Sequence, residues 1–482
     1  MKSRLGLIAL AASLGSSSLA ELTYHVTDIG KLTGFTGGLA ASGVNDSGAV
    51  VGYTNTSGAL PEHAFLFSGG VLNDLGTLGG SDSYAQGIND AGQVVGYAYP
   101  TGNTALHAFL FSGTVLNDLG FAPSQAMAVN ASGQVAGFAE ISGRQHAFLY
   151  SGGSIMDLGT LGGPWSQANG LNDSGETVGY SSTGTGADHA FVYSSGTMTD
   201  LGTLGGSFSE AFAVNASGVI VGYAAIAGGA DHAFSYSGGV MNDLGTLGGS
   251  WSTAVGINSS GEIVGYAATA GGTGHAFIYT GGVMSDLNTL LDSSGSGYSL
   301  FSASAISDNG MIAANAYDGD GRTHAILLTP NAGVAGTVEL QDYSGDITRV
   351  PIEIELRAPG TTTVVQSAWV WLDASGNFTM PTSISGTYDV AAKASHWLRR
   401  RLSNVTLTGT SFTGGTNFSL INGDVNGDNT INLADFTIIS ADWRSTPGSP
   451  HWNVNADLNG DGIINLGDLL VLTKNWRKSG DP

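Results

Sequence analysis

With 482 residues, only 11% of them charged and 76 of them glycine, the chain is long enough for several domains and suits short strands and turns better than exposed helices. Its net charge of −23 would repel phosphate backbones and anionic membranes, which argues against nucleic acid as a partner. The absence of cysteine excludes disulfide frameworks and thiolate metal sites.

Residues 1–20 have the pattern of a secretory signal peptide. Lys2 and Arg4 precede an apolar run, and Ser18 and Ala20 place small residues at the −3 and −1 positions. The pattern predicts cleavage after Ala20 and a secreted protein, extracellular or associated with the cell surface. The alternative is a buried N-terminal helix. No later stretch has about 18 consecutive apolar residues, so we expect no transmembrane segment.

A repeat of about 43 residues fills positions 21–330. It is marked by an H-A-F histidine, an N-x-x-G asparagine and a D-L-G aspartate. Each copy holds four short strand-like segments separated by glycine-rich turns, as at 211–215, 219–224, 232–236 and 240–244. Four antiparallel strands in roughly 40–45 residues is the size of a β-propeller blade. The histidines are His63, His107, His146, His189, His232, His275 and His324.

The first and last copies are incomplete in complementary ways. Residues 24–30 form a fourth strand with no blade before it, and residues 326–329 form a third strand with no fourth after it. Joining the two ends completes one blade and removes exposed sheet edges. The predicted fold is therefore mainly β, with a seven-bladed propeller closed by a composite blade. The alternatives are a β-solenoid and a different blade count.

The repeated polar residues are expected to hold each copy together rather than to catalyse a reaction. We expect the histidines to hydrogen-bond a turn or an aspartate, and the asparagines to form turns. Catalysis requires an acid and a base tuned apart, and near-identical copies do not supply that asymmetry. We therefore predict no catalytic residue. Among departures from the repeat, Trp165 and Trp251 suit either sugar stacking or core packing, and Asp318 to Gly321 suits a calcium loop or a solvated turn.

The repeat resembles the HAF-repeat family of extracellular bacterial proteins, and the resemblance implies location and architecture only. Residues 334–420 lose the repeat and contain six or seven short strands, which predicts a small β-sandwich. Residues 386–398 are similar to transthyretin-like modules that carry C-terminal domains, which implies a spacer. Arg399, Arg400 and Arg401 form the only basic run, and we expect a surface patch rather than an anion site.

The tail, residues 422–482, carries two twelve-residue segments 33 residues apart, Asp424–Asp435 and Asp457–Asp468. Each places oxygen side chains at positions 1, 3, 5, 9 and 12, with a backbone carbonyl at position 7, which is the spacing of an EF-hand calcium loop. The segments predict two Ca²⁺ ions. The expected ligands are Asp424, Asn426, Asp428, Thr430 (carbonyl), Asn432 and Asp435, and then Asp457, Asn459, Asp461, Ile463 (carbonyl), Asn465 and Asp468.

The loops depart from a standard EF-hand because position 12 is aspartate and no helix-forming segment precedes either loop. A helix is predicted after each, from Leu433 to Trp443 and from Leu466 to Trp476. Position 6 needs a left-handed residue, which Gly462 and Asn429 both allow. Without calcium the carboxylates repel, so we expect the tail to order on binding the ion.

The duplicated loops and helices resemble a type I dockerin. The resemblance implies a cohesin-like partner that contacts loop positions 10 and 11, which are Leu433, Ala434, Leu466 and Gly467. These are less polar than the serine and threonine pairs of well-known members, which leaves the partner's identity open.

The preferred function is a secreted, non-catalytic protein whose propeller binds a glycan or protein, or serves as a scaffold, and whose dockerin tethers it. One alternative is a polysaccharide-degrading hydrolase or lyase on the propeller, which requires two carboxylates roughly 5–9.5 Å apart in one pocket. Candidates outside the invariant marks are Glu140, Glu176, Glu210 and Glu262. Another alternative is a structural surface or matrix protein that self-assembles.

Overall fold

The computed structural model describes residues 22–32, 37–55, 61–409 and 411–482. The predicted signal peptide lies outside these residues. Within them the chain is mainly β, with two α-helices near the C-terminus. None of the helices in the described ranges is long and apolar enough to cross a membrane.

Seven antiparallel four-stranded sheets occupy residues 24–330. Six are each built from four strands that are consecutive in the chain, and the seventh joins the last three strands of the array to its first strand. The strands are β1 (Tyr24–Asp28), β2 (Gly38–Val44), β3 (Val50–Asn55), β4 (Ala64–Ser68), β5 (Val71–Gly76), β6 (Gly79–Ile88), β7 (Val94–Pro100), β8 (His107–Ser112), β9 (Val115–Asp118), β10 (Ser124–Val129), β11 (Val135–Ile141), β12 (Arg144–Ser151), β13 (Ser154–Asp157), β14 (Gly162–Leu171), β15 (Thr177–Thr183), β16 (Asp188–Ser194), β17 (Thr197–Asp200), β18 (Gly205–Val214), β19 (Ile220–Ile226), β20 (Asp231–Ser237), β21 (Val240–Asp243), β22 (Gly248–Ile257), β23 (Ile263–Thr269), β24 (Gly274–Thr280), β25 (Val283–Asp286), β26 (Ser299–Ile306), β27 (Ile312–Tyr317) and β28 (Thr323–Pro330).

The predicted pairing of the two ends is confirmed. Strand β1 runs antiparallel to β28, with Tyr24 opposite Pro330 and Asp28 opposite Ile326. Tyr24 is fully buried there. A segment from the start of the array thus supplies the fourth strand of the last sheet, and β2 of the first complete sheet packs against β26, β27 and β28.

The L-G-G segment at residues 204–206 is the start of a strand, although we predicted that the glycine-rich segments between strands are turns. Strand β18 begins at Gly205, which pairs with Ile226, so it is longer than the expected 211–215. A Cβ at Gly206 would lie 2.5 Å from the carbonyl oxygen of Ala225. Glycine is therefore required by the close approach of two strands, a requirement that looks like a turn signal in the sequence.

Every H-A-F histidine contacts the D-L-G aspartate, which confirms the expected structural bond. The Nδ1 atom lies 2.7 to 2.9 Å from a carboxylate oxygen in all seven copies. In six copies the partner is 11 residues away, whereas His324 bonds to Asp28 across 296 residues. Six of these aspartates also accept a bond from the glycine nitrogen two residues on, as from Gly202 to Asp200, and Asp286 accepts one from the nitrogen of Asn288.

The N-x-x-G asparagines link neighbouring sheets. Each side-chain amide donates to the main-chain carbonyl of the corresponding residue in the next copy, at 2.9 to 3.2 Å, from Asn45 through to Ser307. In the seventh copy Asn309 donates to the carbonyl of Asp46 instead. The expected turn is present too, because the asparagine oxygen accepts from its own turn, but glycines such as Gly218 (φ 77°) hold the left-handed position.

Two more four-stranded sheets follow the array and share one hydrophobic core around the fully buried Trp397. Their strands are β29 (Gly333–Leu340), β30 (Pro351–Arg357), β31 (Val364–Trp371), β32 (Asn377–Pro381), β33 (Ser385–Lys393), β34 (Arg400–Thr408), β35 (Phe412–Thr413) and β36 (Phe418–Leu420). The module contacts the array where the asparagine turns lie, since Gln366 donates to the carbonyl of Asp308 and Ser383 to Glu262.

The basic run is not the surface patch we predicted. Arg399 forms an ion pair with Glu355 at 3.0 Å, and Arg401 lies 3.7 Å from Asp389. The backbone nitrogen of Arg401 also donates to Asp481. The arginines are half-buried because they join the tail to the two-sheet module.

Replacing Asn215 by alanine should destabilise the array, because a buried amide that serves two copies is lost. We expect the free energy of unfolding to fall by about 1–3 kcal/mol, as when a buried polar group loses its partner. Urea denaturation followed by circular dichroism measures this. Asn242→Ala removes an exposed asparagine of the same copy and should change stability by less than about 0.5 kcal/mol. Equal effects of the two variants would contradict the role of the amide.

Candidate functional site

The two tail segments form matching loops, each followed by a helix. Helix α1 spans Leu433–Ala441 and α2 spans Leu466–Lys474. Both helices end two residues before the tryptophans where we expected them to end. Arg444 (φ 65°) and Arg477 (φ 64°) follow in the left-handed conformation that terminates helices.

The last loop positions also start the helices. Asn432 and Asn465 are the N-caps, and Asp435 and Asp468 complete a capping box at the third helical residue. Asp435 accepts bonds from the backbone nitrogens of Asn426 and Asn432 at 3.1 and 2.8 Å. These aspartates are fully buried, so each holds the end of its loop against the beginning of its helix.

The remaining predicted ligands converge within each loop. The Asn426 side chain contacts Asp428 at 2.9 Å, and the Asn432 side chain contacts the carbonyl oxygen of Thr430 at 3.2 Å. The second loop repeats both contacts, between Asn459 and Asp461 at 3.0 Å and between Asn465 and the carbonyl of Ile463 at 2.9 Å. Within the described ranges no three histidine, cysteine, aspartate or glutamate side chains group around one point, so amide and carbonyl oxygens must complete any cation site.

The first aspartate of each loop is buried, and of the two only Asp424 has a cationic neighbour within the described residues, namely Lys393. Asp424 is fully buried and its Oδ1 atom has no hydrogen-bond partner, while Oδ2 accepts from the nitrogen of Asn429. Burial raises the pKa of the Asp424, Asp457 and Asp468 carboxyls, and the neighbouring Asp435, Asp468 and Asp461 carboxylates add to this effect. An orphaned carboxylate oxygen among carbonyl and amide oxygens fits a hard cation such as Ca²⁺.

Lys393 contacts the first loop, which the sequence did not predict. Its ammonium group lies 3.4 Å from Asp424 and 2.8 Å from the carbonyl oxygen of Gly427. The lysine belongs to β33, so the two-sheet module reaches into the first loop. The second loop has a different neighbour, because Ser344 donates to the carbonyl of Asn459.

Position 6 of the first loop has a second task. Asn429 adopts φ 68°, as expected, and Gly462 adopts φ 83°. The Asn429 side chain also accepts from the nitrogen of Arg399 at 2.8 Å and donates to the carbonyl of Asp481 at 2.9 Å. An asparagine therefore replaces the glycine of the second loop because its amide fastens the loop to the module.

The two halves of the tail are interlocked. Ile431 of the first loop exchanges backbone bonds with Arg477 and Lys478 after α2. Ile464 of the second loop does the same with Arg444 and Ser445 after α1. One core unites both halves, so a loss of order in either loop should affect the other. Its buried members are Leu398, Val425, Ile431, Ile439, Ala456, Leu458, Ile464 and Leu472.

The expected partner-binding positions lie on the surface of the tail. Leu433 and Leu466 expose 66% and 60% of their area, which is unusual for leucine in a domain with a small core. Ala434 is exposed and Gly467 is half-buried. We did not single out Leu470, which is 60% exposed on α2, or the exposed Phe436 on α1.

The other candidate residues in the array are occupied structurally or lie apart. Asp318 caps a hairpin turn and pairs with Arg322 and His324. Glu176 and Glu262 each bond to the asparagine of their own turn, at 2.8 and 2.7 Å. The cavity that Glu140 lines contains none of the other three glutamates considered for an enzyme.

Residues 422–475 match the family model described as the dockerin type I domain. No curated protein matches the chain. Among solved structures, a type II cohesin–X-dockerin complex from Acetivibrio cellulolyticus matches at 25% identity, covering 30% of this chain and 96% of that one, with a TM-score of 0.25. TolB from Acinetobacter baumannii matches at 15% identity over 58% of this chain and 80% of that one, with a TM-score of 0.33.

The six-bladed β-propeller lectin of Aleuria aurantia matches at 13% identity, covering 52% of this chain and 95% of that one, with a TM-score of 0.32. The family match is specific to the duplicated loops and helices. The C-terminal segment is thus a type I dockerin domain, and such domains generally bind calcium.

Replacing Asn429 by glycine should separate the two tasks of this residue. Glycine keeps the left-handed backbone but removes the amide bonds to Arg399 and Asp481. We expect calcium affinity to change less than about threefold, whereas the tail should be cleaved faster in limited proteolysis because its anchorage is weaker by about 1–2 kcal/mol. Asn404→Gly is the matched control, since Asn404 is also left-handed (φ 59°) and exposed. Unchanged proteolysis of the Asn429 variant would contradict the anchoring role.

Proposed function

We propose that this chain is a secreted protein that attaches to a cohesin-type partner through its calcium-loaded dockerin and carries the repeat array as a binding or scaffold body. The observation that carries the proposal is the duplicated loop and helix of the dockerin segment, with its buried aspartates and the unpartnered Oδ1 atom of Asp424. The proposed units are the signal peptide (1–20), the array (21–330), the spacer (334–420) and the dockerin (422–482).

Each loop holds one Ca²⁺ ion in this proposal. The first and last aspartates are fixed by backbone nitrogens, as Asp457 is by Gly462, and their burial directs them into the loop. When bound, calcium supplies positive charge to these carboxylates, of which only Asp424 has a cationic neighbour, Lys393, within the described residues. The loops then hold α1 and α2 in place through the capping aspartates, so the exposed helix surface depends on the ion.

Exposed Leu433 and Leu466 provide the contact surface for the partner. They sit at equivalent points on the two halves and are joined on α2 by Leu470. A surface of this kind binds through a few apolar anchors rather than through polar pairs. The aliphatic character at positions 10 and 11 favours a cohesin that presents an apolar patch.

The array is best explained as a closed propeller of seven blades. Three contacts between the two ends of the array support closure. They are the pairing of β1 with β28, the hydrogen bond of His324 with Asp28, and the hydrogen bond of Asn309 with Asp46. They repeat the contacts made between or within the other copies. A closed ring leaves no open sheet edge at either end, which suits a protein displayed outside the cell.

Calcium titration of the full chain by isothermal calorimetry should give two bound ions. Asp424→Asn and Asp457→Asn should each abolish one of them, because each removes the charge at position 1 of one loop. Asp442→Asn, in the same domain but outside the loops, should leave both. Two ions in all three variants would refute the assigned ligands.

Full-length protein should bind an immobilised cohesin, chosen from a panel of modules, in calcium and should release it in chelator. The double variant Leu433→Asp with Leu466→Asp should lose at least about tenfold in affinity while still binding calcium, since a desolvated apolar anchor carries roughly 1.4 kcal/mol or more. Val283→Asp alters a comparably exposed residue of the array and should bind normally. Binding that is indifferent to calcium or to the double variant would overturn the docking proposal.

A further inference from the structure

One copy of the repeat is shorter than its neighbours. The N-x-x-G asparagine follows the D-L-G aspartate by 12 positions from Asp118 to Asn130, whereas it follows by 15 positions in the four copies that start at Asp74, Asp157, Asp200 and Asp243. The loss falls on the first strand of the third sheet. Strand β10 has six residues, while β6, β14, β18 and β22 have ten.

In most of the longer copies, the first half of this strand covers the tyrosine of the following strand. In three of the four ten-residue strands an aromatic residue packs edge-on against the tyrosine of the next strand, as Trp165 does on Tyr180 with ring centroids 5.1 Å apart, whereas β6 has Asp82 at this position. Phe208 on Tyr223 and Trp251 on Tyr266 are equivalent, at 5.6 and 5.8 Å. In the short copy Pro123 takes the place of the tryptophan and Phe138 that of the tyrosine.

Phe138 consequently lines a cavity of about 560 Å³ between the second and third sheets. Its other walls carry Tyr99, Gln125, Glu140, Arg144 and Gln145. A volume of this size lies in the range of small-molecule sites, roughly 300–1,000 Å³, and an apolar floor with a few polar groups is their usual lining. The cavity exists in this copy because the repeat is broken there.

Arg144 gives this cavity a charge that is rare in the array. Lys31, Arg144 and Arg322 are the only basic residues between positions 21 and 330. Arg322 is paired with Asp318 and Asp320. Arg144 makes no ion pair or side-chain hydrogen bond within the described parts of the chain. It follows a tight turn through Ser142 (φ 53°) and Gly143 (φ 77°), which fixes its backbone beside the cavity.

We infer that this cavity binds an acidic saccharide, with a uronic acid unit as the recognised group. The guanidinium of Arg144 suits a carboxylate, which it can engage through two parallel hydrogen bonds. Phe138 offers a ring for the apolar face of a pyranose, and Gln125, Gln145 and Glu140 offer donors and acceptors for hydroxyl groups.

The overall charge of the protein restricts where an anionic ligand can bind. At a net charge of −23 an anionic ligand is repelled from most of the surface, so binding is favoured beside a cation that is not already neutralised, such as Arg144. The inference rests on the proposed role of the array as a binding body. In that role, the array binds acidic saccharides at this cavity.

Calorimetric titration of the full chain in calcium with trigalacturonate, galactotriose and triaspartate tests the inference. We expect trigalacturonate to bind most tightly and Arg144→Gln to weaken it about tenfold, the effect of losing one charge-assisted pair. Arg349→Gln removes an exposed arginine from the spacer and should have no effect. Replacing residues 121–123 by a copy of residues 160–165 restores the full repeat, should fill the cavity and should abolish binding.

No binding of trigalacturonate, equal binding of galactotriose, tighter binding of triaspartate, or an unchanged affinity in Arg144→Gln would each overturn the inference. Should the repeat-restored chain not fold, the Arg144 variant still decides the matter. Cohesin binding is measured separately on the same protein. Loss of calcium-dependent docking with saccharide binding intact would refute the docking proposal alone, and the reverse result would refute this inference alone.

Discussion

The bond from each asparagine amide to the carbonyl of the next copy is the contact on which the array depends. A four-stranded sheet cannot bury both its faces alone, so each copy needs a neighbour at a fixed distance and angle. The amide supplies that constraint because it satisfies its own turn and the adjacent turn together. The histidine–aspartate pair acts inside each sheet and holds its last two strands. Asn309 and His324 extend both interactions across the junction of the chain ends.

The dockerin segment is stabilised differently from the array. Its core is small, and its loops bury carboxylates that repel one another, which supports the proposal that its order depends on a bound cation. The two-sheet module that follows the array also contributes to this region. Lys393 and the backbone of Arg399 contact the first loop, and Ser344 contacts the second. The dockerin therefore packs against the two-sheet module.

Repetition separates structural residues from candidate functional ones. A residue that makes the same bond in every copy, such as His189 with Asp200, is accounted for by stability. The third sheet departs from this pattern because three residues are absent, and the space they leave contains an arginine without a partner. The difference is visible only by comparison with the other copies, three of which have an aromatic residue, such as Trp165, in the same place.

The sequence by itself determined the strand content, the pairing of the first strand with the last, and the two loops with their following helices, because periodic patterns and fixed ligand spacing are local signals. It misjudged the L-G-G segment, where close strand approach and a turn both demand glycine, and it placed the arginine run on the surface. Only the tertiary structure decided where Asn215 donates, what Arg399 and Lys393 contact, and that Phe138 and Arg144 share a cavity. Those contacts join residues far apart in the chain, and their geometry depends on how whole sheets pack, which no local pattern encodes.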